Sequence, residues 1–293
     1  MANQSYNIKD VYSAINTIDG YFGEGNGGYG GTVEHFNKQI AQYCPYISAL
    51  SDNYCMNYLY RASSGVINLL DNLKNYGLEY DKLAEYAILL LSYKLNQHPQ
   101  YKSTNLNYFY TNHIEKNTFY DKKIKDSDSM TYKDIIDKKK DLMNMNIKER
   151  SKFNDPFSIL VLLYNEIKKN NKDCKNLSQK ANEFVQNFKE LNEDSNINGN
   201  ASYRKLLSTL SDDYDNFKIY FAEKCSHCSD LPTLPEIKTP PSKLIPALST
   251  FSVIPVFLGI AYKYSLFGVD KLFQRQYLRK KLKKVKNKLK LNI

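Results

Sequence analysis

The sequence predicts an all-α helical bundle followed by a single C-terminal transmembrane helix and a short basic tail. Three observations carry that prediction. Apolar residues recur at helical spacing through the first 230 positions with no convincing alternating strand. Residues 244–262 form a 19-residue stretch without a charge. The net charge of +10 lies entirely behind that stretch: residues 1–262 carry 30 basic and 30 acidic groups, and residues 263–293 carry 11 basic groups against one acid, Asp270. Charge confined to one end argues against a nucleic-acid-binding surface. With 42% apolar and 25% charged residues the chain has the means to bury a core. The abundance of Lys, Asn and Tyr reflects A/T-rich codons rather than chemistry.

The bundle is expected over residues 1–230. Val11, Ile15 and Ile18 form the first stripe, and Leu59, Ala62, Val66, Leu69, Leu70 and Leu73 the second. Leu83, Tyr86, Ala87, Leu90 and Leu91 follow, closed by Pro99, which has no N–H to continue a helix. Tyr132, Ile135, Ile136, Leu142 and Ile147 make a weaker stripe. Pro156 suits the first turn of a helix running through Ile159, Leu160, Leu163 and Ile167. Leu177, Ala181, Phe184, Val185, Phe188 and Leu191 are the clearest set, and Tyr203, Leu206, Leu207, Leu210, Tyr214 and Phe217 follow the break at 196–200. Residues 20–31 hold seven of the 12 glycines and read as a flexible loop. Residues 96–131 also read as a loop region, where sequence variation is tolerated best. Pro232, Pro235, Pro240 and Pro241 suit a stiff, extended stalk over 231–243.

Residues 244–267 are assigned to the membrane span, because a helix of roughly 20 apolar residues crosses a bilayer core. Pro255 and Gly259 inside it, Tyr262 and Tyr264 at one end and the basic cluster behind favour a span over a core helix, which would be amphipathic. The same charges place the tail, 268–293, in the cytosol and the bundle across the membrane. MANQSYNIKD has no apolar signal core, so no cleavable signal peptide is expected. Insertion as a tail anchor, with the bundle in the cytosol, is the alternative. In the tail, Val269, Leu272, Phe273, Leu278, Leu282, Val285 and Leu289 recur at roughly helical spacing. With Arg275, Arg279, Lys280, Lys281, Lys283 and Lys284 they describe a basic amphipathic helix suited to anionic inner-leaflet lipids. A role restricted to enforcing topology is the alternative for these charges.

The chemistry-bearing residues form no catalytic, cofactor-binding or metal constellation. Gly23, Gly25 and Gly28 match G-x-G-x-x-G, but a helical stripe precedes them where a strand is required. His35, His98, His113 and His227 are scattered and read as surface or capping residues. Lys138, Lys139 and Lys140 read as a solvated helix face. Cys44, Cys55, Cys174, Cys225 and Cys228 all precede the span, which fits an oxidising compartment with one or two disulfides and an unpaired thiol. Cys225-Ser-His-Cys228 has half the spacing of a zinc site or of a redox pair, with no second C-x-x-C to complete it. Five cysteines leave the connectivity open.

Several longer motifs resemble the Plasmodium interspersed repeat (PIR) family, closest to its rodent-parasite CIR, YIR and BIR branches. They are Tyr132-Lys-Asp-Ile-Ile-Asp-Lys-Lys-Lys-Asp-Leu-Met-Asn-Met, Ser151-Lys-Phe, Lys180-Ala-Asn-Glu-Phe-Val and Leu191-Asn-Glu-Asp-Ser-Asn. Leu206-Leu-Ser-Thr-Leu-Ser, Asp213-Tyr-Asp-Asn-Phe, Leu231-Pro-Thr-Leu-Pro and the closing Ser252-Val-Ile-Pro-Val-Phe-Leu-Gly-Ile-Ala-Tyr-Lys-Tyr-Ser-Leu-Phe-Gly with Gln276-Tyr-Leu-Arg complete the set. The resemblance runs from about Val11 into the tail. It implies a helical ectodomain and a non-enzymatic variant surface antigen, exported in infected erythrocytes or held in membranes around the parasite. It implies no catalytic residues. Three positions depart from the family pattern: Tyr12 and Leu177 stand where family members often carry Cys, and the 156–166 helix lacks its frequent Cys.

The expected partners are therefore a lipid bilayer, anionic inner-leaflet lipids, a host cell-surface receptor and antibodies, and no nucleic acid or cofactor. A cytosol-facing membrane scaffold is the alternative function.

Overall fold

In this computed structural model, residues 7–26, 32–34, 37–45, 55–125, 129–169, 173–239, 275–284 and 286 are described. They fall into two compact units, 1–239 and 240–293. The first is an α-helical bundle: α1 Ile8–Asp19, α2 Lys38–Ala41, α3 Tyr58–Leu73, α4 Tyr80–Gln97, α5 Leu106–Phe109, α6 Tyr132–Asp137, α7 Ile147–Lys168, α8 Cys174–Glu193, α9 Ser195–Gly199 and α10 Ala201–Lys224.

Asparagine starts six of these helices, at Asn7, Asn37, Asn57, Asn105, Asn146 and Asn200, its side-chain oxygen accepting an orphan N–H of the first turn. A composition attributable to codon usage thus has a structural use. Asp173 and Asp194 do the same for α8 and α9, and Thr131 with Asp134 forms a capping box on α6. Between α3 and α4 the chain turns at Gly77, whose φ of 73° lies in the left-handed region that glycine enters without a Cβ clash.

Helix α7 is the central element, packing against α1, α4, α8 and α10. Its buried Phe153, Phe157, Leu160, Leu163 and Tyr164 meet a continuous core that includes Val11, Ile15, Leu90, Phe184, Phe188 and Phe217. Of the stripe residues read in the bundle, only Ile147 is exposed; the others contribute to that core. Pro156 lies inside α7 rather than in its first turn. The helix begins nine residues earlier, at Ile147, because Asn146 and Glu149 form a capping box there, and packing on several sides carries it across the proline.

The glycine-rich segment differs from the expected loop. Gly20–Phe22 is a 3-10 turn, and Glu24–Asn26 (β1) pairs antiparallel with Thr32–Glu34 (β2), Gly25 opposite Val33. Residues 27–31 lie outside the described residues. Residues 96–131 are also more than loop. They contain α5, a π-helical turn Tyr110–Ile114 and a 3-10 turn Thr118–Asp121, and they bury Leu106, Phe109, Tyr110, Ile114, Tyr120 and Ile124. Ser63 on α3 donates to the His113 carbonyl, and the Tyr120 hydroxyl donates to the Ser63 carbonyl. Irregular spacing hid these apolar residues from a periodicity search.

The proline-rich segment Leu231–Thr239 has neither helix nor strand, and it lies along the bundle instead of leaving it. Leu231 is buried, Leu234 and Ile237 pack on the core, and Tyr214 donates to the Pro232 carbonyl. Asn192 both donates to the Glu236 carbonyl and accepts from the Lys238 N–H. Residues 240–243, and the expected span at 244–267, lie outside the described residues. Among the described residues no helix is long and apolar enough to cross a membrane.

Candidate functional site

The five cysteines resolve into two disulfides. Cys44 pairs with Cys55, tying the turn that follows α2 to the segment that precedes α3, with their Cα atoms 5.3 Å apart. Cys174, the first residue of α8, pairs with Cys228, just beyond α10, at 5.5 Å. Cys225 belongs to neither bridge and is buried at the C-cap of α10. The Cys225-x-x-Cys228 spacing therefore does not mark a redox pair, because Cys228 is joined to a cysteine 54 residues earlier. His227 is exposed beside this bridge, its Nε2 3.7 Å from the Cys228 Sγ.

At the centre of the bundle, sequence reasoning missed a buried polar seam. Asp213 is fully buried on α10. Tyr12 on α1 and Tyr86 on α4 each donate to its carboxylate at 2.8 Å, and Tyr164 on α7 donates to its backbone carbonyl at 2.9 Å. Tyr12 and Tyr164 stack at 4.3 Å between ring centroids. Burial pushes the Asp213 carboxyl up to about 7, outweighing the opposing pull of Tyr86, Lys82 and Tyr12. The signal was present in the sequence: Asp213 falls at i+7 from Leu206 and i−4 from Phe217, on the apolar stripe itself. Tyr12 is thus a hydrogen-bond donor to this carboxylate.

A second polar cluster adjoins α4. Lys139 is buried and pairs with Glu85 at 3.0 Å and Asp81 at 3.3 Å, which corrects its reading as part of a solvated face, while Lys138 and Lys140 are exposed. Burial opposes the Lys139 charge, but Glu85 and then Asp81 overcome it and hold its ammonium above the usual lysine range. Thr209 donates to Glu85 at 2.5 Å and accepts from Lys82 at 2.7 Å. Glu85 is buried because α4 is covered by α3, α6 and α7 together.

The histidines lie apart. His98 ends α4, where its Nδ1 accepts from the Gln100 N–H. His113 is a core residue rather than a surface one, set edge-on to Tyr60, and burial followed by Lys116 holds its imidazole below the usual histidine range. His35 is outside the described residues. Gly25 pairs with Val33 in the β-ribbon instead of opening a helix, Gly23 directly precedes β1, and Gly28 lies outside the described residues. A polar groove of 510 Å³ lies among α1, α4, α7 and α8, lined in part by Asp19, Tyr93, Asn154, Asp155 and Glu183.

In the second unit, residues 275–284 form a helix with Arg275, Arg279, Lys280, Lys281, Lys283 and Lys284 all exposed. Leu278 and Leu282, one turn apart, are 56% and 68% exposed, an apolar strip flanked by cations.

The family model described as Plasmodium variant antigen protein Cir/Yir/Bir matches residues 12–263. The solved structure of a Plasmodium PIR protein ectodomain is 35% identical, with a TM-score of 0.57, and the match covers 80% of this chain and 99% of that one. Comparison with curated proteins gives no match. A family match over most of the chain, joined to a helical bundle shared with a PIR ectodomain, establishes that this chain belongs to the Plasmodium Cir/Yir/Bir (PIR) variant antigen family.

Proposed function

We propose that the chain is a non-enzymatic, single-pass variant surface antigen of the infected erythrocyte, its helical bundle outside the membrane and its basic tail in the cytosol. The observation that carries this reading is the pair of disulfides within the bundle, since such bridges persist in oxidising surroundings and are rare in a reducing cytosol. The family match, which runs through residue 263 and so takes in the uncharged stretch, supports assigning 244–267 as the span. The outward bundle would present its loops and its polar groove to antibody and to a host receptor. The exposed cations of 275–284 suit the anionic inner leaflet, where each contributes about 1 kcal/mol of attraction.

The test is topology in infected cells, with one epitope near Met1 and another near Ile293. Antibody access to the N-terminal epitope alone on intact cells, with protease trimming of the bundle, is the expected result. Access to neither epitope before permeabilisation refutes the host-surface placement, and selective permeabilisation then separates a vacuolar-membrane protein from a cytosol-facing scaffold.

A further inference from the structure

We propose that Cys174, His227 and Cys228 form a zinc-binding site when their disulfide is reduced. The end of the bundle would then be closed by a sulfur–sulfur bond in an oxidising compartment and by a metal ion in a reducing one. Among the described residues this is the one group of three Cys, His, Asp or Glu side chains whose ligand atoms all lie within 4.8 Å of one another. The sequence alone shows only half of it, because Cys174 arrives from the start of α8 while His227 and Cys228 follow α10.

The geometry needs little change. Tetrahedral zinc with Zn–S of about 2.3 Å and Zn–N of about 2.0–2.1 Å places neighbouring ligand atoms about 3.6–3.8 Å apart. His227 Nε2 already stands 3.7 Å from the Cys228 Sγ. Opening the bridge requires the two sulfurs to separate by about 2 Å, within reach of side-chain rotation. Cys228 lies in a non-helical segment that can follow, and Cys174 at the first position of α8 has its thiolate favoured by the helix N-terminus. His227 is exposed, so water takes the fourth position. Cys44–Cys55 has no such third ligand among the described residues and serves as an internal control.

The chemistry balances with a thiol reductant. Two reductant thiols pass two electrons and two protons to the bridge, giving two cysteine thiols and one reductant disulfide. Zinc then displaces both thiol protons and binds the neutral imidazole. The inference goes beyond the surface-antigen proposal, which requires only the oxidised form, so either can fail alone.

The experiment uses the full chain in detergent, with Co²⁺ as a spectroscopic probe and Zn²⁺ in competition, before and after reduction by a phosphine. The expected result is no binding when oxidised, and one Co²⁺ per chain when reduced, with thiolate-to-cobalt charge-transfer absorption that Zn²⁺ abolishes. His227→Ala, on an exposed turn, should weaken binding by more than the ~10–100-fold lost when an outer-shell partner is removed. The pair Cys174→Ser and Cys228→Ser should abolish it, and the pair Cys44→Ser and Cys55→Ser should leave it intact. Absence of stoichiometric metal on the reduced chain overturns the proposal, as does binding that survives loss of Cys174 and Cys228. If reduction alone lowers the helical circular dichroism, one equivalent of Zn²⁺ must restore it, and failure to do so is equally fatal.

Discussion

Replacing Asp213 with asparagine should remove a pH dependence built into the centre of the bundle. The carboxyl is fully buried between α1, α4, α7 and α10, and burial raises it from 3.8 to about 7 in the folded chain. The folded state therefore holds the proton more tightly than the unfolded state. The associated stability is complete below 3.8 and is lost as pH rises to about 7. Above pH 5 the unfolded carboxyl is ionised and the folded one is not, so stability falls at first by about 1.4 kcal/mol per pH unit; the slope fades as the folded carboxyl ionises near 7, for a total of about 3 kcal/mol by pH 8. Asparagine keeps an acceptor for one tyrosine hydroxyl and does not titrate. Urea unfolding of the bundle, followed by circular dichroism between pH 5 and pH 8, measures the difference between the two proteins at each pH. Wild type should lose about 3 kcal/mol relative to Asp213→Asn over that range. Parallel curves would show that the two tyrosine donors keep the buried carboxylate ionised, and the reasoning would be wrong.

Other expectations follow from single contacts. Peptide mapping without reduction should find 44–55 and 174–228 linked; removing each bridge should cost about 3 and about 4 kcal/mol from chain entropy, the longer loop losing more. Glu85→Ala leaves Lys139 buried without its nearest carboxylate and should cost about 3–5 kcal/mol by denaturant unfolding, whereas Glu183→Ala, which breaks an exposed pair with Lys180, should cost under about 1 kcal/mol. Equal costs would show that the Glu85 pair is solvated. Because the chain has no tryptophan, Tyr277→Trp makes a lone fluorescent reporter beside Leu278. In the full chain reconstituted in vesicles its emission should shift to the blue when phosphatidylserine is present and return at high salt; identical spectra with and without the anionic lipid would rule out tail docking.

Helical periodicity alone determined the α-helical bundle, because apolar residues at i, i+3, i+4 and i+7 have nowhere to go but one shared core. It placed Val11, Leu70, Leu90, Phe184, Leu210 and Phe217 in that core, where all are fully buried or nearly so. The motifs from Tyr132 to Gln276 carried the family. Charge counting isolated the tail, whose cations at 275–284 are exposed. Tertiary structure decided what depends on residues far apart in the chain. Cys174 meets Cys228, Tyr12 meets Asp213 across 201 positions, and Lys139 meets Glu85. Local pattern is silent about such meetings, since a lone polar residue on an apolar stripe becomes intelligible only when another helix brings its partner. The proline segment shows the same limit: its composition suggested a stalk, and only the Tyr214 hydroxyl and the Asn192 side chain, brought together by the fold, hold Leu231–Thr239 against the bundle.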